Sequence, residues 1–384
     1  MIWRLVVPIG LLVGCKAKRV EDVPRDATAI VSDAIAAIDA APAVLAEYPR
    51  VDALRTVTIP TAKPGAEGVG PMIAGELAIV GGSFGFAAID YQRGGVAWTK
   101  PAGAHVAPPL VHGSSIVLVG DCERFEPVPD GEQLLGCMRV VTTTGSDEAF
   151  LAIHGRGLDA FATSTGTSAL WDAGAKAVRW TRGSEAVTIE LLTGAAKYAN
   201  ADAPPLDVVY RGTRWAITQR GGKVSARGKK PWETAHPYTA IVGIVWTADG
   251  APLVRVLNLG AYAGAPEAHV IDMDATGSLR AAVARPTPGV ALLGSGVSTQ
   301  GDAAIALRLD SAHDFVAAYA SNAMLMYVHV LPPAAHTRDR VGIAVADDAV
   351  VVFHDGDRLS VLPELLAPPT APGATRSSSK NPTP

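Results

Sequence analysis

Short apolar runs, each fenced by glycine, proline, aspartate or asparagine, recur from Leu77 to Phe353, and they restrict the fold of this 384-residue chain more than any other feature. They are Leu77–Val80, Ser115–Val119, Met138–Thr142, Val187–Leu191, Ala240–Trp246, Leu253–Leu257, Ala303–Leu309, Met324–Val330 and Ala349–Phe353. None is long enough for a buried helix, and each is rich in Val, Ile, Leu or Ala, which fits a strand covered on both sides. Helical periodicity is nearly absent from residues 49–366, and the 39 glycines and 28 prolines of the whole chain imply many turns. Many short strands at regular spacing predict an all-β sandwich, barrel or propeller.

Internal repetition separates these. Pro71–Gly81 (PMIAGELAIVG) has a partner in Pro109–Gly120 (PLVHGSSIVLVG), and Gly75 precedes Gly113 by 38 residues, the size of one propeller blade. The first copy is followed by Ala88-Ile-Asp90-Tyr-Gln-Arg-Gly94-Gly-Val-Ala-Trp98. This phrase resembles the Ala-x-Asp-x-x-x-Gly-x-x-x-Trp signature of PQQ-like β-propeller repeats. Two strands flank a tight turn in such a phrase; Gly94 can take positive φ there, and Trp98 can wedge between neighbouring blades. Weaker copies lie at Ala160–Gly166 with Trp171, at Ala216–Gly222 with Ala226 in place of the tryptophan, and at Asp274–Gly277. The resemblance implies an all-β, seven- or eight-bladed PQQ-like propeller over residues 49–366, at about 40 residues per blade. Asp90, Gly94, Trp98, Gly166 and Trp171 would be its blade-packing residues. A pair of β-sandwiches is the competing architecture.

The ends read differently. Arg4 precedes an apolar run from Leu5 to Val13 that closes with Leu12-Val13-Gly14-Cys15. The run is too short to span a bilayer, which takes about 20 apolar residues, and has the order of a secretory signal. The pattern resembles a bacterial lipobox, which implies that residues 1–14 are a signal peptide and that Cys15 carries a lipid. Lys16 after the lipid cysteine implies outer-membrane sorting by the rule of enteric bacteria. Residues 15–48 form a tether in which Ile30, Val31, Ile35 and Ile38 share a helical face before Pro42, so a short helix is expected. Residues 367–384, rich in Pro, Ser and Thr, read as a disordered tail.

The chain without residues 1–14 carries 32 Lys plus Arg against 37 Asp plus Glu, a net −5 that does not suit a nucleic-acid partner. With Cys15 lipidated, Cys122 and Cys137 are available as a disulfide in an oxidising compartment, or as two free thiols. The loop they bracket holds Glu123, Glu126, Asp130 and Glu132, with Asp121 just before it. This acidic insertion reads either as a projection for a partner or cation, or as an ordinary connection. Gly81-Gly-Ser83-Phe-Gly85 spells a nucleophile elbow, but the strand-like residues that follow make it a hairpin turn rather than a strand–helix junction. His354-Asp355-Gly356-Asp357 reads as an exposed hairpin turn, and the histidines form no metal-ligand set. Adjacent cysteines, which the quinone-dependent dehydrogenases of this repeat type need, are absent, so no cofactor is expected. Lipobox, length and repeat type together resemble the propeller lipoproteins of the outer-membrane β-barrel assembly machinery. That resemblance implies a membrane-anchored, non-catalytic scaffold with an envelope protein as partner. An exported propeller enzyme or carbohydrate-binding protein, with its site in the central channel, is the alternative, because a propeller fold does not choose between them.

Overall fold

The computed structural model describes residues 42–365, apart from 61, 64, 66, 67, 104, 125, 157–166, 173–175, 183, 184, 199–205, 221, 222, 236–238, 248, 263, 264, 284, 285 and 335. The first strand, β1 (Arg55–Thr58), stands before six blades made of consecutive strands. Blade I is β2 (Val69–Ala74), β3 (Leu77–Gly82), β4 (Gly85–Asp90) and β5 (Gly95–Lys100). Blade II is β6 (Leu110–His112), β7 (Ser115–Gly120), β8 (Gln133–Thr142) and β9 (Asp147–Gly155). Blade III is β10 (Thr167–Asp172), β11 (Ala177–Arg182), β12 (Glu185–Glu190) and β13 (Ala196–Tyr198). Blade IV is β14 (Leu206–Tyr210), β15 (Thr213–Arg220), β16 (Lys223–Arg227) and β17 (Trp232–Ala235). Blade V is β18 (Thr239–Trp246), β19 (Pro252–Tyr262), β20 (Ala265–Asp274) and β21 (Leu279–Ala282), with the short β22 (Thr287–Pro288) beside β20. Blade VI is β23 (Ala291–Val297), β24 (Ala303–Arg308), β25 (Asp314–Tyr319) and β26 (Leu325–Val330).

Blade VII is completed from both ends of the described chain. It contains β27 (Gly342–Val345), β28 (Ala349–His354) and β29 (Arg358–Pro363), and its fourth strand is β1. β1 pairs antiparallel with β29, from Arg55 opposite Val361 to Thr58 opposite Arg358. The first strands lie side by side, β23 next to β27, β27 next to β2 and β2 next to β6, so the last blade meets the first. The chain is a seven-bladed β-propeller, not a pair of sandwiches.

The apolar runs in the sequence are mainly second and third strands. β3, β4, β24, β25 and β28 are buried almost without interruption, because each is covered on both faces by adjacent blades. Fourth strands at the rim carry less apolar signal, as in β5, whose residues are exposed or half-buried. Antiparallel order within each blade also sorts the connections. Links between first and second strands, and between third and fourth, fall on one face, here the turn face; the remaining links fall on the loop face. Gly75 and Gly113 make the first-to-second turns of blades I and II at φ 61°, a conformation costly for residues with a Cβ. Inner strands approach closely: a Cβ at Gly342 would lie 1.7 Å from the Gly70 carbonyl oxygen, and one at Gly294 1.8 Å from that of Val341.

Two features fasten blade VI. Arg255, on β19, is 0% exposed, and its Nε and Nη2 hold Asp272 on β20 at 2.7 and 2.8 Å. Its remaining N–H groups donate to the carbonyls of Gly301, Ala320 and Ser321, so one guanidinium bridges blades V and VI with every donor used. Residues 42–51 form a strap along the rim of blade VI. A 3-10 turn at Ala43–Leu45 places Leu45, 0% exposed, in the apolar cluster shared by blades V and VI. Val51 then donates its N–H to Val328 O, and Val328 donates to Pro49 O. The tether drawn from sequence runs to residue 48, whereas the strap residues from Pro42 onward pack against the propeller. The expected signal peptide, Cys15, the helix through Ile30–Ile38 and the tail at 367–384 lie outside the described residues.

Arg255→Ala leaves the Asp272 carboxylate buried without its partner. It is expected to lower unfolding free energy by about 3–5 kcal/mol, measured by urea denaturation. A loss below about 1 kcal/mol would mean that the bridge contributes little to holding blades V and VI together.

Candidate functional site

The loop face is held by side chains that reach between its connections. Cys122, in the β7–β8 loop, forms a disulfide with Cys137 on β8, with Cα atoms 5.0 Å apart. Gly120 and Cys137 are register partners, so the bond closes the loop at its root. Next to it, Asp121 accepts the His105 backbone N–H at 3.1 Å and lies 2.7 Å from His105 Nδ1, while its own N–H donates to His105 O. Gly103 donates to Asp121 O, which ties the blade I–II connection to the loop a second time. At the far end of the loop Glu132 bonds His154 on β9, and Arg124 Nε donates to Glu126 at 3.0 Å. Much of the loop's acidity is therefore spent on neighbouring side chains. Among the described residues, no group of three or more His, Cys, Asp or Glu is arranged to hold a metal.

Beside the disulfide, Phe150 on β9 is 41% exposed and lies under the Arg139 guanidinium, 4.9 Å from ring centre to Cζ. Arg139 and Lys100 both pair with Asp147, at 3.1 and 3.0 Å. Burial opposes ionisation of Asp147, yet the bonds and charges of Lys100 and Arg139 together outweigh it and hold its carboxyl below the usual carboxylate range. Phe150 and Arg139 edge a cavity of about 20 Å3 with Glu123 and Cys137. This aromatic and cationic pair, beside a cross-linked loop, was not legible in the sequence, because cross-strand register brings Phe150 opposite Arg139.

The other organised part of the loop face lies in blade VII. The turn at His354–Asp357 forms as expected, with Asp355 and Gly356 at φ 57° and 70°, but its side chains are not solvated. His354 is 1% exposed, with Nδ1 2.9 Å from Asp355 and Nε2 2.9 Å from Ser360. Arg338, from the blade VI–VII connection, donates Nε to Asp355 at 2.6 Å and Nη2 to its other oxygen at 3.0 Å. Its Nη1 reaches Asp314 on β25 at 3.3 Å, and Arg308 joins Asp314 at 3.2 Å. Burial opposes ionisation of Asp355, yet hydrogen bonds from His354 and Arg338 outweigh it and hold its carboxyl well below the ordinary range. The Ser360–His354–Asp355 connectivity is that of a catalytic relay. Its placement is structural: Ser360 is 1% exposed, and Thr56 on closing strand β1 lies 3.2 Å from its hydroxyl. The network ties β1 to blades VI and VII.

Other residues singled out in the sequence fall as follows. Asp90 accepts the Arg93 N–H at 2.7 Å and its carbonyl accepts from Gly94, whose φ is 82°, in the β4–β5 turn. Trp98, on β5, is half-buried and donates Nε1 to Thr143 O of blade II at 2.9 Å. A Cβ at Gly145, in the β8–β9 turn, would lie 2.7 Å from its ring. Trp232 of blade IV meets Gly277 of blade V in the same manner, at 2.6 Å. Trp171 lies on β10, a first strand, opposite Val178, so it does not occupy the position of Trp98 on a fourth strand. Gly166 lies outside the described residues. Gly81–Gly85 spans the β3–β4 hairpin, where Ser83 Oγ accepts the Lys63 N–H at 3.1 Å.

No family model and no curated relative matches the chain. Among solved structures it is similar to a chain of the crystal structure of the mitotic checkpoint complex, at 9% identity and a TM-score of 0.49, over 92% of this chain and 99% of that one. It is also similar to KlHsv2 with loop 6CD replaced by a Gly-Ser linker, at 10% identity and a TM-score of 0.41, over 73% of this chain and 86% of that one.

A folded-state pKa depressed below the ordinary 3.8 makes Asp355 stabilising above that value, with the contribution lost as pH falls below it. Asp355→Asn is therefore expected to be less stable at neutral pH and to lose less further stability than the parent between about pH 4 and pH 2, followed by chemical denaturation at each pH. Parallel acid limbs in the two proteins would remove Asp355 as an acid-sensitive tie.

Proposed function

We propose that this protein is a membrane-tethered, protein-binding scaffold whose recognition surface is the loop face around blades I and II. The observation that carries this reading is the pre-ordered loop there: the Cys122–Cys137 bond, the paired bonds between Asp121 and His105, and Glu132 on His154 fix its root and both its ends. Ordering loops on association costs affinity, so a surface ordered during folding binds a partner more tightly for the same contacts. Arg139 over Phe150 supplies the residue types that anchor protein interfaces. Anchoring is supported by sequence: Arg4, the apolar run and Leu12-Val13-Gly14-Cys15 resemble a lipobox, and Lys16 suits the outer membrane of a bacterial envelope. In this reading the lipid on Cys15 holds the protein at the membrane, and an envelope protein meets the loop face.

A photo-crosslinking side chain placed at Glu126 or Phe150 in the native host is expected to give one discrete protein adduct in the membrane fraction. The same probe at Glu76, in the β2–β3 turn on the opposite face, should give none. In a Cys15→Ala background the protein should leave the membrane fraction. Adducts absent from both Glu126 and Phe150, or equal at Glu76, would contradict the assignment of the surface.

A further inference from the structure

Blade VII carries a second feature of the loop face, independent of the disulfide loop. A cleft of about 60 Å3 opens between the blade VI–VII connection and the His354–Asp357 turn. His336, Thr337, Arg338, Arg340, Phe353 and Asp355 edge it, over backbone at Gly65, Gly68 and Gly342. That volume holds about four waters. It matches a compact polar group of four or five heavy atoms, and the groups still free in it are mainly donors.

The charges of the cleft divide into spent and free. Asp355 is spent: three hydrogen bonds, two from Arg338 and one with His354, occupy its oxygens. Arg338 is nearly spent, with Nε and Nη2 on Asp355 and Pro332 O, but Nη1 makes a single bond, to Asp314, and so keeps one N–H for a further acceptor. Its side chain is 2% exposed, which makes that N–H a buried donor rather than a solvated one. Arg340 is half-buried at the mouth, without a hydrogen bond or ion pair among the described residues, and the His336 ring and Thr337 hydroxyl are likewise uncommitted there. His336 sits over Gly65, where a Cβ would come within 3.0 Å of the ring. Asp339 is the opposing carboxylate, and it is exposed on the rim where water screens it.

We infer that this cleft binds an oxyanion group, a carboxylate or phosphate, through Arg340 and the free N–H of Arg338, with His336 and Thr337 as further donors. A guanidinium fork matches the two oxygens of such a group, and a buried donor binds it more strongly than one in water. The site does not depend on partner binding at blades I and II, so the crosslinking experiment can fail while this one succeeds.

The test uses the mature chain with its disulfide intact, and thermal unfolding in inorganic phosphate or acetate against potassium chloride at matched ionic strength. Ligand that binds only the folded state raises the midpoint with concentration, which yields a dissociation constant. Phosphate or acetate should raise the midpoint beyond the chloride control, and Arg340→Gln should bind about tenfold more weakly while unfolding normally without ligand. A peptide with a free carboxyl terminus and its amide identify the source. Binding of the free acid but not the amide, with or without binding of the small ions, assigns the cleft to a peptide carboxylate; binding of the small ions alone assigns it to a soluble anion. No shift beyond chloride with any of these probes, or an equal shift in Arg340→Gln, would overturn the inference.

Discussion

Closure of this propeller rests on one antiparallel pairing, that of β1 with β29. A ring of blades made from one chain has two ends to join, and here residues 55–58 supply the outer strand of a blade whose other strands come from residues 342–363. Other ties lie along the same seam. Thr56 reaches Ser360, Ser360 reaches His354, and His354 leads through Asp355 and Arg338 to Asp314 in blade VI. On the turn face, Tyr91 and Gln92 of blade I bond the two oxygens of Asp348 in blade VII at 3.1 and 2.7 Å. Burial, and then the Asp348 charge, pushes the Tyr91 hydroxyl up to about 12, so it stays a donor at any physiological pH. The seam is thus bonded on both faces of the ring.

The closure also bears on function. Blades held rigidly around a ring present their connecting loops in fixed positions, and the loop face uses this twice. At blade II a disulfide fixes the root of an insertion; at blade VII a buried ion network fixes the wall of a cleft. Inner strands contribute in another way. Gly294 and Gly342 let neighbouring backbones approach closely, which brings blade VI against blade VII and blade VII against blade I along their first strands. Recognition then falls to the loops.

Much of the fold was legible in the sequence because it rests on local chemistry. Second and third strands are covered on both faces and so appear as unbroken apolar runs, and Gly75 and Gly113 mark equivalent turns that need positive φ. Blade number was less legible because other blades place Lys176 and Arg211 in that conformation, which hides the period. In the structure Trp98 meets Gly145 of the next blade, and Trp232 meets Gly277, so the recurring unit crosses a blade boundary. Trp171 stands on a first strand instead, opposite Val178. The loop-face sites were illegible because Arg338, Asp314 and Asp355 stand on different elements, a connection, a strand and a turn, and only their pairing in space shows that the His354–Asp357 turn is an anchored one.

A scaffold of this kind needs a loop face that is ordered before any partner arrives. Hydrogen–deuterium exchange across residues 121–137 of the oxidised, unbound protein measures this directly. Slow exchange at Asp121, whose N–H is bonded to His105 O, and at Glu132, bonded to Pro129 O, with faster exchange after reduction of the Cys122–Cys137 bond, is the result expected. Exchange at unprotected rates throughout the loop while the disulfide is intact would contradict it.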